Sequence, residues 1–148
     1  KRLNRNNDGG TTRRTTDIFQ LATTVLFQNP VQNFALAPNN LKDVSPVCMD
    51  YMKTVPTTWD ETCFIDGYPG KYVVLARRHG NTWYLAAVNA GKEIVKLKLD
   101  LDMFAGKTVS LYKDDKKGEP QLVTLKVKES GKVQLEILPQ GGVVLVNN

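Results

Sequence analysis

The second half of the chain alternates apolar and polar residues with a period of two, and this pattern constrains the fold more than any other feature. In EIVKLKLDL, residues 93–101, Val95 and Leu97 are expected on one face, and Lys96 and Lys98 on the other. Turns rich in Gly and Pro separate about eight such runs. The runs are TCFIDG, KYVVLARR, TWYLAAVN, EIVKLKLDL, KTVSLYK, QLVTLKVKE, KVQLEIL and GVVLVN. Regularly spaced strands joined by hairpin turns predict an antiparallel β-sandwich.

The first 56 residues carry helical signals instead. Residues 2–16 are rich in Asn, Gly, Thr and Arg and predict a loop, after which Thr15 or Thr16 suits a helix N-cap. Apolar spacing predicts helices over 18–28 and over 45–55. Between them VQNFALA, residues 31–37, is a short apolar run that predicts a buried strand. This order is that of the end of an α/β fold, and the predicted strand needs parallel neighbours that this segment does not supply.

Composition limits the classes of protein to consider. With 148 residues, 41% of them hydrophobic and 24% charged, the chain suits one globular domain plus part of a second. It contains neither a signal-peptide pattern nor an apolar run near the roughly 20 residues that a membrane helix needs. It opens on Lys1 instead of Met, as expected of a piece processed or cut from a longer protein.

The net charge of +5 is concentrated at one end of the chain. The first fourteen residues carry +4, so the remainder carries only +1. Nucleic-acid binders gather basic side chains on one folded surface, and a loop containing arginines does not meet that description. The charge pattern therefore argues against a nucleic-acid partner.

Trp59-Asp60-Glu61 is the motif that most resembles catalytic machinery, because paired carboxylates hydrolyse glycosides. Such a pair must reach one bond from about 5–9.5 Å apart. Adjacent residues of a strand point to opposite faces, so Asp60 and Glu61 are not expected to share a sugar. The favoured interpretation is structural: one acid accepts bonds from backbone or an arginine, and Trp59 fills a gap between layers.

Other reactive side chains form no recognisable site. Cys48 and Cys63 allow one disulfide, although two buried free thiols are the favoured interpretation. His79 is predicted in a hairpin turn, which leaves no zinc cluster and no Cys-His or Ser-His-Asp set. Trp83 and Tyr84 could stack on sugars, but their alternation in a strand places at least one in the core.

Two further segments have polar patterns with open interpretations. The run 114–117, Asp-Asp-Lys-Lys, lacks the ligand spacing of a calcium loop and predicts a solvated turn. In a parallel α/β fold, ligands bind at the carboxyl ends of the strands. Residues 38–40 directly follow the predicted strand 31–37, and the loop before the first helix is expected to open on the same face. The candidate substrate-rim residues are therefore Arg5, Asn6, Pro38, Asn39 and Asn40, with ordinary loop chemistry as the alternative.

Three segments resemble the carboxyl-terminal portion of glycoside hydrolase family 97, bacterial α-glycosidases that include α-glucosidases and α-galactosidases. They are QLATTVLFQNPVQNFALAP, MDYMKTVPTTWDETCFIDGYPGKYVVLARRHGNTWYLAAVNAG and LPQGGVVLV. The resemblance implies that residues 1–56 are the last elements of a (β/α)8 TIM barrel. In that arrangement 18–28 is helix seven, 31–37 is strand eight and 45–55 is helix eight. Residues 57–148 are then the antiparallel β-sandwich, with Trp59, Asp60 and Glu61 at the interdomain seam.

The resemblance also implies a function. It predicts the terminal part of a calcium-dependent exo-α-glycosidase that releases glucose or galactose from oligosaccharides. The family's catalytic carboxylates and calcium-binding glutamates lie upstream, so neither catalytic residues nor metal ligands are expected in this chain. The implied partners are an oligosaccharide and the upstream part of the same enzyme, with no nucleic acid and no membrane span, in the periplasm or outside a bacterial cell.

One departure from the family leaves the sugar open. Many relatives have an acid after strand eight, whereas the run 34–38, Phe-Ala-Leu-Ala-Pro, has none. Two rival interpretations remain beside the enzyme. The first is a non-catalytic sandwich that binds carbohydrate or protein, and the second is a nucleic-acid binder that uses the arginine loop.

Overall fold

The computed structural model describes residues 13–147, apart from the side chains at positions 39 and 40. In this part of the chain two α-helices, α1 (Asp17–Leu26) and α2 (Pro46–Thr54), precede eight β-strands. The strands are β1 (Glu61–Tyr68), β2 (Tyr72–His79), β3 (Thr82–Asn89), β4 (Val95–Asp100), β5 (Thr108–Asp114), β6 (Pro120–Lys126), β7 (Lys132–Ile137) and β8 (Gly142–Asn147). Short 3₁₀ turns cover Pro38–Lys42 and Asp102–Phe104.

The strands form two antiparallel sheets. The larger has six strands in the order β1-β2-β3-β8-β5-β6, and the smaller pairs β4 with β7. Every strand predicted from the alternation is present close to its predicted bounds. The prediction of a β-sandwich is therefore confirmed.

The main core lies between the two sheets. Leu97 and Leu99 of β4 are buried there, while Lys96 and Lys98 of the same strand are exposed. Val74, Leu85 and Leu145 of the large sheet close the core from the other side. The period-two pattern of β4 follows from this arrangement, because the small sheet buries only one of its faces.

A second core forms where the helices cover the opposite face of the large sheet. Helix α1 buries Ile18, Leu21, Ala22 and Val25 and packs mainly on β3 and β8. These two strands are buried along nearly their whole length because they have a hydrophobic layer on each side. The molecule is therefore layered as small sheet, large sheet and helices.

The predicted strand over 31–37 is wrong for the described structure. The segment has neither helix nor strand, and Val31 is 71% exposed. An apolar run becomes a buried strand only where neighbouring strands accept its backbone hydrogen bonds. All strand pairs within 13–147 are antiparallel pairs of the sandwich, so no parallel sheet is available to it.

The helices are confirmed but their surroundings differ from an α/β layer. Thr16 is the N-cap of α1, and its side chain accepts a bond from the Phe19 amide at 3.1 Å. Helix α1 ends at Leu26, two residues before the predicted end at 28. Both helices contact the sandwich instead of a parallel sheet, so the described residues do not show the barrel part of the predicted fold class. No helix within 13–147 has the length and apolar character to cross a bilayer.

Candidate functional site

Trp59 lies in the loop between α2 and β1, at the junction of the helix layer and the large sheet. Its ring packs edge-to-face on Tyr84, with centroids 5.3 Å apart and planes at 73°. The ring also contacts the second core, and the Arg77 guanidinium carbon lies 5.9 Å from its centroid. Trp59 therefore joins a loop to the sheet by packing against a buried tyrosine and a buried arginine.

Arg77 of β2 is only 4% exposed, which is unusual for an arginine. Its guanidinium donates to the backbone carbonyl of Phe27 at 3.2 Å and to that of Leu26 at 3.5 Å. These carbonyls belong to the end of α1, where a cation is favoured by the helix dipole and by unsatisfied acceptors. Burial lowers the pKa of Arg77 from its usual value. Arg77 thus ties the end of α1 to the sheet.

Asp60 and Glu61 both approach Arg78, the next residue of β2. The Glu61 carboxylate accepts from Arg78 Nε at 3.1 Å, and Asp60 Oδ2 lies 3.8 Å from Arg78 Nη1. Asp60 Oδ2 also accepts from the Gly80 amide at 2.7 Å. The predicted separation of the two acids on opposite faces is wrong, because β1 begins at Glu61 and both carboxylates meet at one guanidinium. Both acids are nevertheless engaged in holding the β2–β3 hairpin.

The predicted substrate-rim residues are only partly placed by the structure. Arg5 and Asn6 lie outside the described residues. Pro38 is exposed, and Asn39 and Asn40 follow it in the 3₁₀ turn. A concavity of about 700 Å³ lies nearby, between α1, residues 29–37 and α2, with Leu21, Phe34, Leu36, Val44 and Met52 among its lining side chains. Its wall is mixed, because Arg13, Asp17, Gln20, Asn29, Gln32 and Asn33 also line it.

The thiols and the histidine take no part in a reactive cluster. Both cysteines are free, and Cys48 is buried, which raises the pKa of its thiol to about 11. Cys63 is only partly buried, so the prediction of two buried thiols holds for Cys48 alone. The His79 Nδ1 atom lies 2.9 Å from the Thr58 carbonyl oxygen on an exposed hairpin. Among residues 13–147 no three His, Cys, Asp or Glu side chains are grouped so as to hold a metal ion.

The other two candidate segments are structural. Tyr84 is buried in the helix-side core and Trp83 packs against the main core, so both aromatic residues serve packing on opposite faces. The Asp115 carboxylate accepts from the amides of Lys117 and Glu119 at 2.7 and 2.9 Å. These bonds lower the pKa of Asp115 and close a turn. The solvated turn is confirmed for 115–117, whereas Asp114 is the buried last residue of β5.

Two features escaped the sequence reasoning. Thr16 Oγ1 donates to the buried Asp114 carboxylate at 2.8 Å, and the same carboxylate oxygen accepts from the Gly142 amide at 3.0 Å. This contact fixes the start of α1 to β5 and β8, and nothing in the sequence pairs residues so far apart. The second feature is the exposure of Phe64 and Tyr68 on β1, at 67% and 59%. The continuous apolar run in TCFIDG was a signal, because β1 carries large side chains on both faces.

The comparisons with known proteins agree with this architecture. Residues 58–147 match the family model described as "Glycosyl-hydrolase 97 C-terminal, oligomerisation". A retaining α-galactosidase of Bacteroides thetaiotaomicron is 28% identical over 135 residues, covering 85% of this chain and 20% of that protein. A probable retaining α-galactosidase of Streptomyces bingchenggensis is 33% identical over 75 residues, covering 51% of this chain and 12% of that protein.

Solved structures show the same fold. A crystal structure of a β-arabinopyranosidase superposes with a TM-score of 0.93 at 84% identity, over 99% of this chain and 23% of that one. A family 97 enzyme from Pseudoalteromonas sp. strain K8, in complex with acarbose, superposes with a TM-score of 0.82 at 28% identity, over 94% of this chain and 23% of that one.

The chain spans about a fifth of the Bacteroides relative's length and less than a quarter of either solved enzyme. The matched family model extends across the whole sandwich, from the loop before Trp59 to the end of β8. The resemblance drawn from the sequence is thereby confirmed, and the chain belongs to glycoside hydrolase family 97, of which it carries the C-terminal portion.

Proposed function

We propose that this chain is the C-terminal part of an exo-acting glycosidase that releases terminal sugars of the α-galacto configuration, including β-L-arabinopyranose. The observation that carries the proposal is the 84% identity to a β-arabinopyranosidase across 99% of the chain. A β-L-arabinopyranoside has the ring configuration of an α-D-galactopyranoside and lacks only the exocyclic hydroxymethyl group. The names of the α-galactosidase relatives and of the arabinopyranosidase therefore point to one ring geometry.

We assign this part of the enzyme a supporting role in the reaction. In the whole enzyme one carboxylic acid protonates the departing oxygen while a second carboxylate acts as nucleophile or activates water. Asp60 and Glu61 do not suit these roles, because both contact Arg78 and hold a hairpin. The catalytic pair is therefore proposed to lie upstream. Calcium is proposed to bind there too, as the resemblance to the family implies.

We also propose that residues 1–56 complete a (β/α)8 barrel in the whole enzyme, with 57–148 as the separate sandwich. The support is the apolar segment 31–37, which is largely exposed and lacks strand partners within 13–147. An upstream parallel strand would satisfy its backbone and cover the neighbouring concavity. In that setting Arg5, Asn6, Pro38, Asn39 and Asn40 remain the proposed rim of the sugar site, and the enzyme is proposed to be periplasmic or secreted.

The test is hydrolysis of p-nitrophenyl α-D-galactopyranoside, β-L-arabinopyranoside and α-D-glucopyranoside by the full-length protein. The first two should be cleaved, the glucoside should be a poor substrate, and chelation should abolish turnover until calcium is restored. Preference for the glucoside would refute the assigned configuration. The variant Glu61→Gln serves as the control and should keep kcat/KM close to the wild-type value; a loss of about 100-fold or more at unchanged stability would make Glu61 catalytic.

We propose in addition that the sandwich mediates self-association of the enzyme. The support is the family description, which names oligomerisation for residues 58–147, together with the exposed aromatic side chains of β1. Sedimentation velocity of the full-length protein over a range of concentrations tests this role. A single monomeric species at every concentration would contradict it.

A further inference from the structure

The helix layer leaves one end of the large sheet uncovered. Helix α1 packs mainly on β3 and β8, while β1 lies at the edge of the sheet. Phe64, which pairs with Leu75 on the helix side of the sheet, is 67% exposed, and Tyr68 is 59% exposed. Beside them lies a groove of about 320 Å³, which we call the β1 groove; its walls include Phe64, Tyr68, Pro69, Val73, Val88 and Ala90.

The β1 groove differs from the rest of the sandwich surface because two large exposed apolar side chains lie together in it. Within the described part of 58–147 the exposed large hydrophobic residues are Phe64, Tyr68, Ile94 and Leu122. Phe64 and Tyr68 share one groove, whereas Ile94 and Leu122 line neither this groove nor the concavity beside α1. Clustered apolar exposure marks interaction surfaces, while single exposed apolar residues are ordinary. The groove is therefore the surface of the sandwich best suited to a partner.

The charges of the groove are already satisfied locally. Lys71 Nζ lies 4.7 Å from the centroid of the Tyr68 ring, on which its charge is stabilised. Asp66, which does not line the groove, accepts from two groove residues, the Tyr72 hydroxyl at 3.2 Å and the Gly67 amide at 2.7 Å. A partner consequently needs no strong complementary charge and can itself be apolar.

Side-chain packing is favoured over extension of the sheet. Strand β1 is an edge, but its register with β2 shifts between Phe64 and Asp66. Such a bulge bends an edge strand and interrupts the row of groups that a further strand would pair with. A partner should therefore insert side chains into the groove without adding a strand.

We propose that the β1 groove is the surface through which a second copy of this protein binds, in a two-fold arrangement. This inference rests on the proposed self-association. A two-fold contact must be self-complementary, and the groove presents both projecting aromatic rings and an apolar trough beside them. The Phe64 and Tyr68 rings of each copy fill the groove of the other. Aromatic residues in such central positions carry much of the binding energy of an interface.

The experiment is sedimentation velocity of the full-length protein and of the double variant Phe64→Ser with Tyr68→Glu. The double variant should raise the dissociation constant of the oligomer roughly 30-fold or more, the effect of removing interface hot spots. Lys71→Glu is a second probe that leaves the sheet intact, and it should weaken association because it removes the cation on the Tyr68 ring and leaves a carboxylate beside the apolar groove. Leu122→Ser, on the opposite edge strand β6, is the matched control and should leave association unchanged.

The outcomes separate this inference from the proposed self-association. An oligomer that persists in both β1-groove variants overturns the groove as the interface, while self-association itself stands. A wild-type protein that is monomeric throughout overturns both. If the groove variants remain oligomeric but melt at lower temperature, the upstream part of the same enzyme occupies the groove and the inference is again overturned. Loss of association at unchanged melting temperature, with the Leu122 control intact, supports it.

Discussion

Gly142→Ala should loosen helix α1 from the large sheet. A Cβ at this position would lie 2.8 Å from the Phe19 Cα, 2.9 Å from the Ile18 carbonyl oxygen and 2.9 Å from the Phe19 amide nitrogen. These neighbours are all backbone atoms of the first turn of α1, so no side-chain rotation can relieve the contact. The helix would have to move by about 0.6 Å or more to reach ordinary van der Waals separation. That movement strains the bond from Thr16 to Asp114, which is 2.8 Å long.

The expected cost is about 1–3 kcal/mol, typical of a methyl group forced into a packed interface. Native-state hydrogen exchange of the full-length protein measures it locally. Amides of α1 should exchange roughly 5- to 150-fold faster, because about 1.4 kcal/mol corresponds to a factor of ten. Gly80→Ala is the matched control, since Gly80 has a φ of +57° but no atom within 4 Å of an added Cβ. It should strain its own hairpin and leave α1 unchanged. Wild-type exchange of α1 in Gly142→Ala would refute the reasoning.

Three further predictions concern single side chains. Thr16→Val removes the N-cap of α1 and leaves the buried Asp114 without this donor, so the full-length protein should lose about 1–2 kcal/mol of local stability, seen as faster exchange of the first amides of α1. Cys48 should resist thiol reagents at pH 8 until the domain unfolds, because burial holds the pKa of its thiol near 11. The raised pKa also contributes to the free energy of unfolding below pH 9. This contribution should disappear between pH 9 and 11, because the thiol of the unfolded chain ionises in that range while the buried thiol does not. Trp59→Ala should destabilise the domain by about 3 kcal/mol, the low end for buried aromatic residues because part of the ring is exposed; substrate preference should not change, and a mutant of normal melting temperature with lost turnover would reverse that interpretation.

The strands could be predicted because the apolar pattern of each strand shows which of its faces is buried. Alternation in β4 reflects a sheet with one wet face, and the local turns set where each hairpin reverses. The same local logic gave both helices. The pattern does not identify which surface the helices cover, because an apolar helix face indicates that it is buried but not which element it packs against. The apolar runs of β3 and β8 held that information, since strands buried on both faces need a layer on each side.

The failures have a common physical origin. The segment 31–37 was predicted as a strand from its apolar content, but a strand exists only with a neighbour that accepts its hydrogen bonds. Arg77 was missed because arginine is ordinarily exposed, and its burial depends on carbonyl groups some fifty residues earlier in the chain. Strand alternation does not apply to Asp60 and Glu61, because β1 starts between them and Arg78 of β2 contacts both. In each case the outcome depended on a partner distant in sequence.

The junction around Trp59 divides its tasks between two arginines of one strand. Arg77 points to the helix side, where it caps the end of α1 and contacts the Trp59 ring, although its Nε and the Trp59 Nε1 have no partner among the described residues. The Arg78 guanidinium contacts the carboxylates of both Asp60 and Glu61. A carboxylate that donates or accepts a catalytic proton must be free to face the sugar, whereas these two face a guanidinium. Asp60 and Glu61 therefore hold the β2–β3 hairpin, while Trp59 joins the loop after α2 to the large sheet.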